Sequence, residues 1–266
     1  MSTVSRAAGD FAGIIDDVTT CTCPVAGSSS VRATGAAVAG AGGAGKIPGV
    51  VARLSAAPAG GGRPGAARHE TAVLKDFIIA GVGGQGGLLA TSVLARVFVK
   101  AGFDVKTSEV HGMAQRGGTV ISYVRRGQKV YSPLVPKGEA DVILGLEILE
   151  AYRQLPELKV GGLVLTSDER IKPVSVIMGQ AQYPDIRPEW FLSRAGRVLV
   201  IPALDKAREA GNVRAANTVC LGALSRFLEI PADVWEETIA ETVPPKAVDV
   251  NLKAFEIGRS LVVAGS

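Results

Sequence analysis

"LKDFIIAGVGGQGGLLATSVLARVFVKAG", Leu74–Gly102, decides the fold. Leu74–Ala80 is a short apolar run of the kind that fills a sheet interior. "GVGGQGG" interrupts it. From Leu88 the apolar residues recur with helical spacing, and Gly102 stands where a helix C-terminus is commonly closed. A strand, a glycine-rich turn and a helix in that order open an α/β unit.

The pattern continues downstream. "FDVKTSEV" reads as a second strand, and "TVISYVRRGQKVYSPL" as two strands around an Arg126-Gly127 turn. "ADVILGLE" is apolar throughout, as strands buried on both faces are. A helix follows over Ile148–Leu155. "GGLVLTSD" and "GRVLVIPA" are two further strands. Helical patterns then cover Asp205–Ala210, Ala216–Leu228, Pro231–Glu241 and Ala247–Leu261. The expected fold is therefore α/β: a Rossmann-like three-layer domain with a mostly parallel sheet and a helical C-terminal part.

Residues 1–72 differ from this. Gly and Ala supply 29 of the first 70 residues, and Phe11 is the one aromatic there. Such a stretch buries too little apolar surface to offset its ordering entropy. It reads as a low-complexity, disordered extension, at most with a short helix over Phe11–Val18. "GAGGAGKI" nearly spells a phosphate loop, but Ile47 stands where Ser or Thr would bind Mg²⁺. Early acids, Asp10, Asp16 and Asp17, argue against a transit peptide. A start assigned too far upstream is a further reading; since no Met separates Met1 from Met113, a start near Val73 would use another codon. The expected organisation is an extension over 1–72 and one domain over 73–266.

Composition narrows the function classes. The 266 residues carry a net charge of +4 with acids and bases well mixed, which does not point to nucleic acid. Aromatics are 5%, too few for base-stacking platforms. No apolar run is long enough to span a membrane. The three cysteines, Cys21, Cys23 and Cys220, cannot alone ligate an iron–sulfur cluster, which takes about four thiolates. One histidine in the folded part makes a metal site unexpected. A reduced, cytoplasmic setting is the default.

Two segments carry candidate chemistry. Gly81, Gly83 and Gly86 fit the G-x-G-x-x-G spacing, and Gly84 and Gln85 lie within it. Such a loop permits close backbone approach and aims helix-start N–H groups at an anion. The loop alone is compatible with a nicotinamide site, with another phosphate or anion, and with a purely structural turn. The second segment is "EVHGMAQRGGTV", Glu109–Val120. His111 can titrate near neutrality. Gln115 both donates and accepts. Arg116 can hold a carboxylate or phosphate bidentately, and Gly117 and Gly118 leave backbone N–H groups unshielded. Both segments follow strands and could share a crevice. The alternative is a turn capped by His111, with Arg116 paired to an acid such as Glu109.

"GVGGQGGLLATSVLA", "DVKTSEVHGMAQRGGTV", "VYSPLVPKGEADVILGLE", "AQYPD" and "AANTVCLGAL" occur in this order, and together they resemble the gamma-type domain of 2-oxoacid:ferredoxin oxidoreductases. The resemblance covers about Leu74–Leu261. "HGMAQRGG" is most similar to the arylpyruvate (indolepyruvate) branch; the pyruvate, branched-chain and 2-oxoglutarate branches are the alternatives. It implies an oxidoreductase subunit, in which a 2-oxoacid is oxidatively decarboxylated, coenzyme A takes the acyl group, and ferredoxin takes the electrons. Thiamine diphosphate and iron–sulfur clusters are then carried by a large partner subunit, and this chain alone binds no cofactor. His111, Gln115 and Arg116 become the expected catalytic residues. Gly81, Gly83, Gly84, Gln85, Gly86, Gly117 and Gly118 become the expected cofactor-facing ones. No nicotinamide is needed. A non-catalytic assembly subunit is the reading from another class.

Overall fold

The sheet runs in the order β1-β7-β6-β5-β2-β4-β3, and its centre decides where everything else sits. The strands are β1 (Ala52–Ser55), β2 (Asp76–Val82), β3 (Asp104–His111), β4 (Thr119–Gly127), β5 (Ala140–Gly145), β6 (Leu158–Ser167) and β7 (Arg197–Ile201). The helices are α1 (Gly87–Lys100), α2 (Ile148–Arg153), α3 (Val174–Ile177), α4 (Ala203–Ala210), α5 (Ala216–Ser225), α6 (Ala232–Thr242) and α7 (Val248–Ser260). This computed structural model describes residues 52–55, 74–111 and 118–262. The readings made for Phe11–Val18 and for "GAGGAGKI" lie outside those residues.

β2, β5, β6 and β7 pair in parallel. β4 runs antiparallel to both β2 and β3, so β3 points the same way as β2. β1 is antiparallel to β7 at the other edge. Five of the seven strands therefore share a direction.

Alternation along the strands sends side chains to two separate cores. Phe77, Ile79, Val142, Leu144, Leu165 and Leu199 face α1 and the C-terminal helices α4–α7. Ile78, Ile143, Val164 and Val198 face α2 and the segment around Ile186 and Phe191. The result is the three-layer α/β arrangement read from the sequence. Each fully buried Phe or Ile contributes about 1.5–3 kcal/mol relative to its exposed state. At the start of β2, Asp141 Oδ2 accepts from the Lys75 and Asp76 amides and the same carboxylate pairs with Lys159, which fixes β5 against β2. No helix among the described residues is long and apolar enough to cross a membrane.

Two details differ from the sequence expectation. The proposed hairpin around Gly127 has one strand only: β4 ends there, and no strand forms over 128–139. β4 is already flanked by β2 and β3, so it offers no free edge. The backbone beyond it is satisfied otherwise. Val130 N donates to Asp104 Oδ2, and Arg125 Nη1 donates to the carbonyls of Ser132 and Leu134. Pro133 and Pro136 remove two ladder donors. The second detail is β1, which lies within the stretch read as an extension. It joins the sheet through backbone pairing with β7, from Ala52 opposite Val200 to Ser55 opposite Arg197. Such pairing leaves little trace in side-chain pattern.

Candidate functional site

The glycine loop leaves the carboxyl end of β2 and runs into α1. Gly84 and Gly86 adopt left-handed φ values of 107° and 79°. At Gly84 a Cβ would meet nothing within 4 Å, so its backbone conformation alone calls for glycine. At Gly86 both causes act, because a Cβ would also lie 2.5 Å from Asn217 Nδ2. That amide donates to the Gly86 carbonyl at 2.9 Å and fastens the loop to α5. Gly81 is needed for space; a Cβ there would sit 2.9 Å from Gln85 Oε1 and 3.0 Å from Leu146 Cβ.

Gln85 is fully engaged by the protein. Its Oε1 accepts from Val82 N at 2.7 Å, and its Nε2 donates to Leu146 O at 2.9 Å and to Glu169 Oε2 at 3.0 Å. One amide thus ties together the turns that follow β2, β5 and β6. The N-terminus of α1 is left open: no side chain caps it and its first turn holds no acid. The first-turn N–H groups have no intrahelical acceptor and present the positive end of the helix dipole.

A cleft of about 440 Å³ opens beside these amides, lined among others by Gly83, Gly84, Leu88, Glu109, Val120 and Ser122. Ser122 Oγ is buried and has no hydrogen-bond partner among the described residues. The second candidate segment begins and ends here. His111 closes β3 opposite Val120 of β4, and Gly83 N donates to the Gly118 carbonyl at 2.9 Å. Gln115, Arg116 and Gly117 lie outside the described residues, as does the side chain of His111. The loop and the two ends of the His–Gly segment therefore share one crevice at the carboxyl edge of β2 and β3.

A second cleft, of about 570 Å³, lies on the other side of the glycine loop and is lined by Gln85, Glu169, Arg214 and Asn217, with Cys220 at its base. Cys220 is buried, and burial pushes its thiol up to about 12, which disfavours the reactive thiolate. Among the described residues no cluster of His, Cys, Asp and Glu could hold a metal.

Sequence reading missed several residues that build this edge. Glu147 caps α2, accepting from Glu150 N at 2.8 Å and from Ile171 N at 3.2 Å, and it also accepts from the Tyr183 hydroxyl. Burial and that carboxylate both push the Tyr183 phenol up. Asn217 and Glu169 were likewise unassigned. Glu147, Tyr183 and Asn217 all stand within the segments "ADVILGLE", "AQYPD" and "AANTVCLGAL", so the signal was present without a role attached.

Burial raises the pKa of Glu169, partly opposed by the hydrogen bond from Gln85. A carboxyl with a raised folded pKa favours the folded state below its unfolded pKa and loses that advantage as pH rises through the folded value. Glu169→Gln keeps an acceptor for Gln85 without the charge. It is expected to melt higher than the parent at neutral pH, with the gap closing as pH falls below the ordinary 4.5. Thermal melts across pH read this directly; a gap that does not change with pH would contradict it.

The family model described as pyruvate ferredoxin/flavodoxin oxidoreductase matches residues 76–261. The chain is 47% identical over 188 residues to the indolepyruvate oxidoreductase subunit IorB of Pyrococcus horikoshii, covering 69% of this chain and 93% of the relative. It is 40% identical over 194 residues to the protein of that name from Archaeoglobus fulgidus, covering 71% and 96%. Among solved structures, the gamma subunit of a keto/oxoacid ferredoxin oxidoreductase from Geobacter sulfurreducens superposes with a TM-score of 0.52. It is 23% identical and covers 70% of this chain and 97% of that one, a likeness of fold.

Proposed function

The chain belongs to the pyruvate ferredoxin/flavodoxin oxidoreductase family, and from that premise we propose that it is a subunit of an indolepyruvate:ferredoxin oxidoreductase. In that reaction an aryl 2-oxoacid loses carbon dioxide and its acyl carbon becomes the thioester of coenzyme A. Two ferredoxins each take one electron. Relatives named as indolepyruvate oxidoreductase subunits, at 40–47% identity over more than nine-tenths of their length, support the substrate class.

The observation that carries the reading is the meeting of the glycine loop with both ends of the His111–Gly118 segment at one cleft. Coenzyme A brings phosphates, and the uncapped first turn of α1 is suited to them. Arg116 holds an anionic group there, a coenzyme A phosphate or the substrate carboxylate, while His111 and Gln115 orient it. Thiamine diphosphate and iron–sulfur clusters supply the decarboxylation and electron removal from a large partner subunit. Cys220, buried and alone among the described residues, does not suit a cluster.

The partner is expected to cover the carboxyl edge of the sheet. Leu88, Val174, Ile177 and Met178 lie on or beyond the carboxyl ends of β2 and β6, and each is more than half exposed. Ile177→Glu, at 70% exposure, is expected to leave this chain folded. It should weaken co-purification with the large subunit about tenfold or more, the loss of a central apolar contact. Undiminished co-purification would place the interface elsewhere.

The deciding experiment is co-purification with the large subunit, followed by a panel of 2-oxoacids with coenzyme A and a viologen acceptor. Turnover should be fastest with aryl 2-oxoacids. Preference for pyruvate or 2-oxoglutarate would move the chain to another branch of the family. Tight nicotinamide binding with no viologen reduction would overturn the reading.

A further inference from the structure

A third cleft lies at the opposite edge of the sheet, about 20 Å away by the length of β2. It has a volume of about 810 Å³ and is lined among others by Lys75, Phe103, Arg125, Arg126, Lys129 and Tyr131. Its unusual member is Arg126. Only 6% of this residue is exposed. The guanidinium packs over Phe98 and Phe103, 4.4 and 4.6 Å from their ring centroids, and 6.0 Å from that of Phe77. Its Nε donates to the Leu74 carbonyl at 2.7 Å. The two terminal nitrogens have no hydrogen-bond partner among the described residues. Burial of a cation is costly, and a planar fork with four unused N–H donors is a ready partner for a planar or tetrahedral anion.

Three of the acids nearby already have partners. Asp76 pairs with Arg125 at 2.6 Å. Asp104 holds Lys106 with one oxygen and Val130 N with the other. Asp141 lies close enough to act on Arg126 through space, but its oxygens take two amides and Lys159. Glu229, the other acid acting on Arg126 through space, is exposed. Lys75 and Lys129 have no ion-pair partner among the described residues. The cleft is therefore lined by three cations that form no ion pair among the described residues, Lys129 acting on Asp104 only through space.

From this geometry we infer a binding site for a phosphate-bearing small molecule of nucleotide size. Arg126 takes the phosphate with its terminal nitrogens, held in orientation by the three rings. Lys75 and Lys129 add charge at the rim. The volume falls within the usual range of small-molecule sites. Tyr131, 89% exposed beside Lys129, offers a ring face to a base. This site is distinct from the cleft at the glycine loop and does not depend on the reaction assigned to the chain.

The test is calorimetric titration of the full-length chain at low salt with two probes, ADP and inorganic pyrophosphate. Saturable binding of at least one is expected. A rim variant, Lys75→Gln with Lys129→Glu, leaves the core untouched and should weaken binding tenfold or more. Arg126→Met should abolish it where circular dichroism shows the chain folded. Amide shifts on binding should fall at Gly127–Ser132. Failure of both probes to saturate at millimolar concentration would overturn the inference. So would affinity unchanged in the rim variant, or shifts confined to Gly83–Leu88.

Discussion

Replacing Gly222 by alanine is expected to lower stability by about 2 kcal/mol, the upper end of the cost of forcing an extra methyl into a packed core less the roughly 1 kcal/mol of helix propensity that alanine adds. The cause is the crossing of α5 and α7. A Cβ on Gly222 would fall far inside the contact distance of the Phe255 carbonyl oxygen and 3.0 Å from Arg259 N. Gly258 has the reciprocal relation, its Cβ meeting the Val219 carbonyl and lying 3.1 Å from Ala223 N. The obstructing atoms are backbone on both sides, so no rotamer can yield. Alanine must separate two helices that bury Val219, Leu224 and Phe255. The melting temperature should drop by about 4–8 °C for a domain of this size. Gly87→Ala serves as the control: its nearest neighbour would be Leu146 Cδ1 at 3.8 Å, and its melting temperature should hold. Equal melting of parent and Gly222→Ala would mean that the helices have room that this crossing does not show.

Arg116→Ala is the largest expected change in activity. A hydrogen bond to a charged group contributes about 1.5–3 kcal/mol. Its loss corresponds to roughly a 10- to 100-fold fall in kcat/KM for coenzyme A or for the 2-oxoacid, whichever the guanidinium holds. The variant should still assemble with the large subunit, because His111 and Gly118 are fixed by strand pairing and by the Gly83 amide, without the help of Arg116. Steady-state kinetics of the assembled complex, varying each substrate in turn, identify the anion. Assembly with unchanged KM and turnover would favour the alternative in which this chain only supports its partner. That alternative has some footing: Gly81, Gly86 and Gln85 are each accounted for by contacts within the fold.

The parts of the fold that were legible are those written in local pattern. β2, the glycine break and α1 follow from apolar runs, glycine and helical period, β5 from its unbroken apolar character, and β6 and β7 from the apolar stretches within "GGLVLTSD" and "GRVLVIPA". The insertion of β4 between β2 and β3 was not legible. Strand neighbours are set by pairing among distant segments, and the second strand expected after the Arg126-Gly127 turn is ruled out only by β2 and β3 taking both edges of β4. β1 was invisible because backbone pairing needs no particular side chains. At the site, the glycine loop and the His–Gly segment could be placed at one edge from strand direction alone. The supports could not. Asn217 meets Gly86 across 131 positions and Glu169 meets Gln85 across 84. Nothing in an isolated Asn or Glu announces a distant partner.

The placing of β4 has a consequence for how such chains diversify. The six residues between His111 and Gly118 start and finish on adjacent antiparallel strands, whose spacing of about 4.8 Å is fixed by the ladder whatever lies between. Changing the length of such a connection costs little entropy. The segment can therefore be exchanged between homologues as a cassette, with the ladder serving as a constant splice site. A chimera carrying the corresponding segment of a 2-oxoglutarate-type homologue should fold like its parent, so that any change in substrate preference could be traced to those few residues.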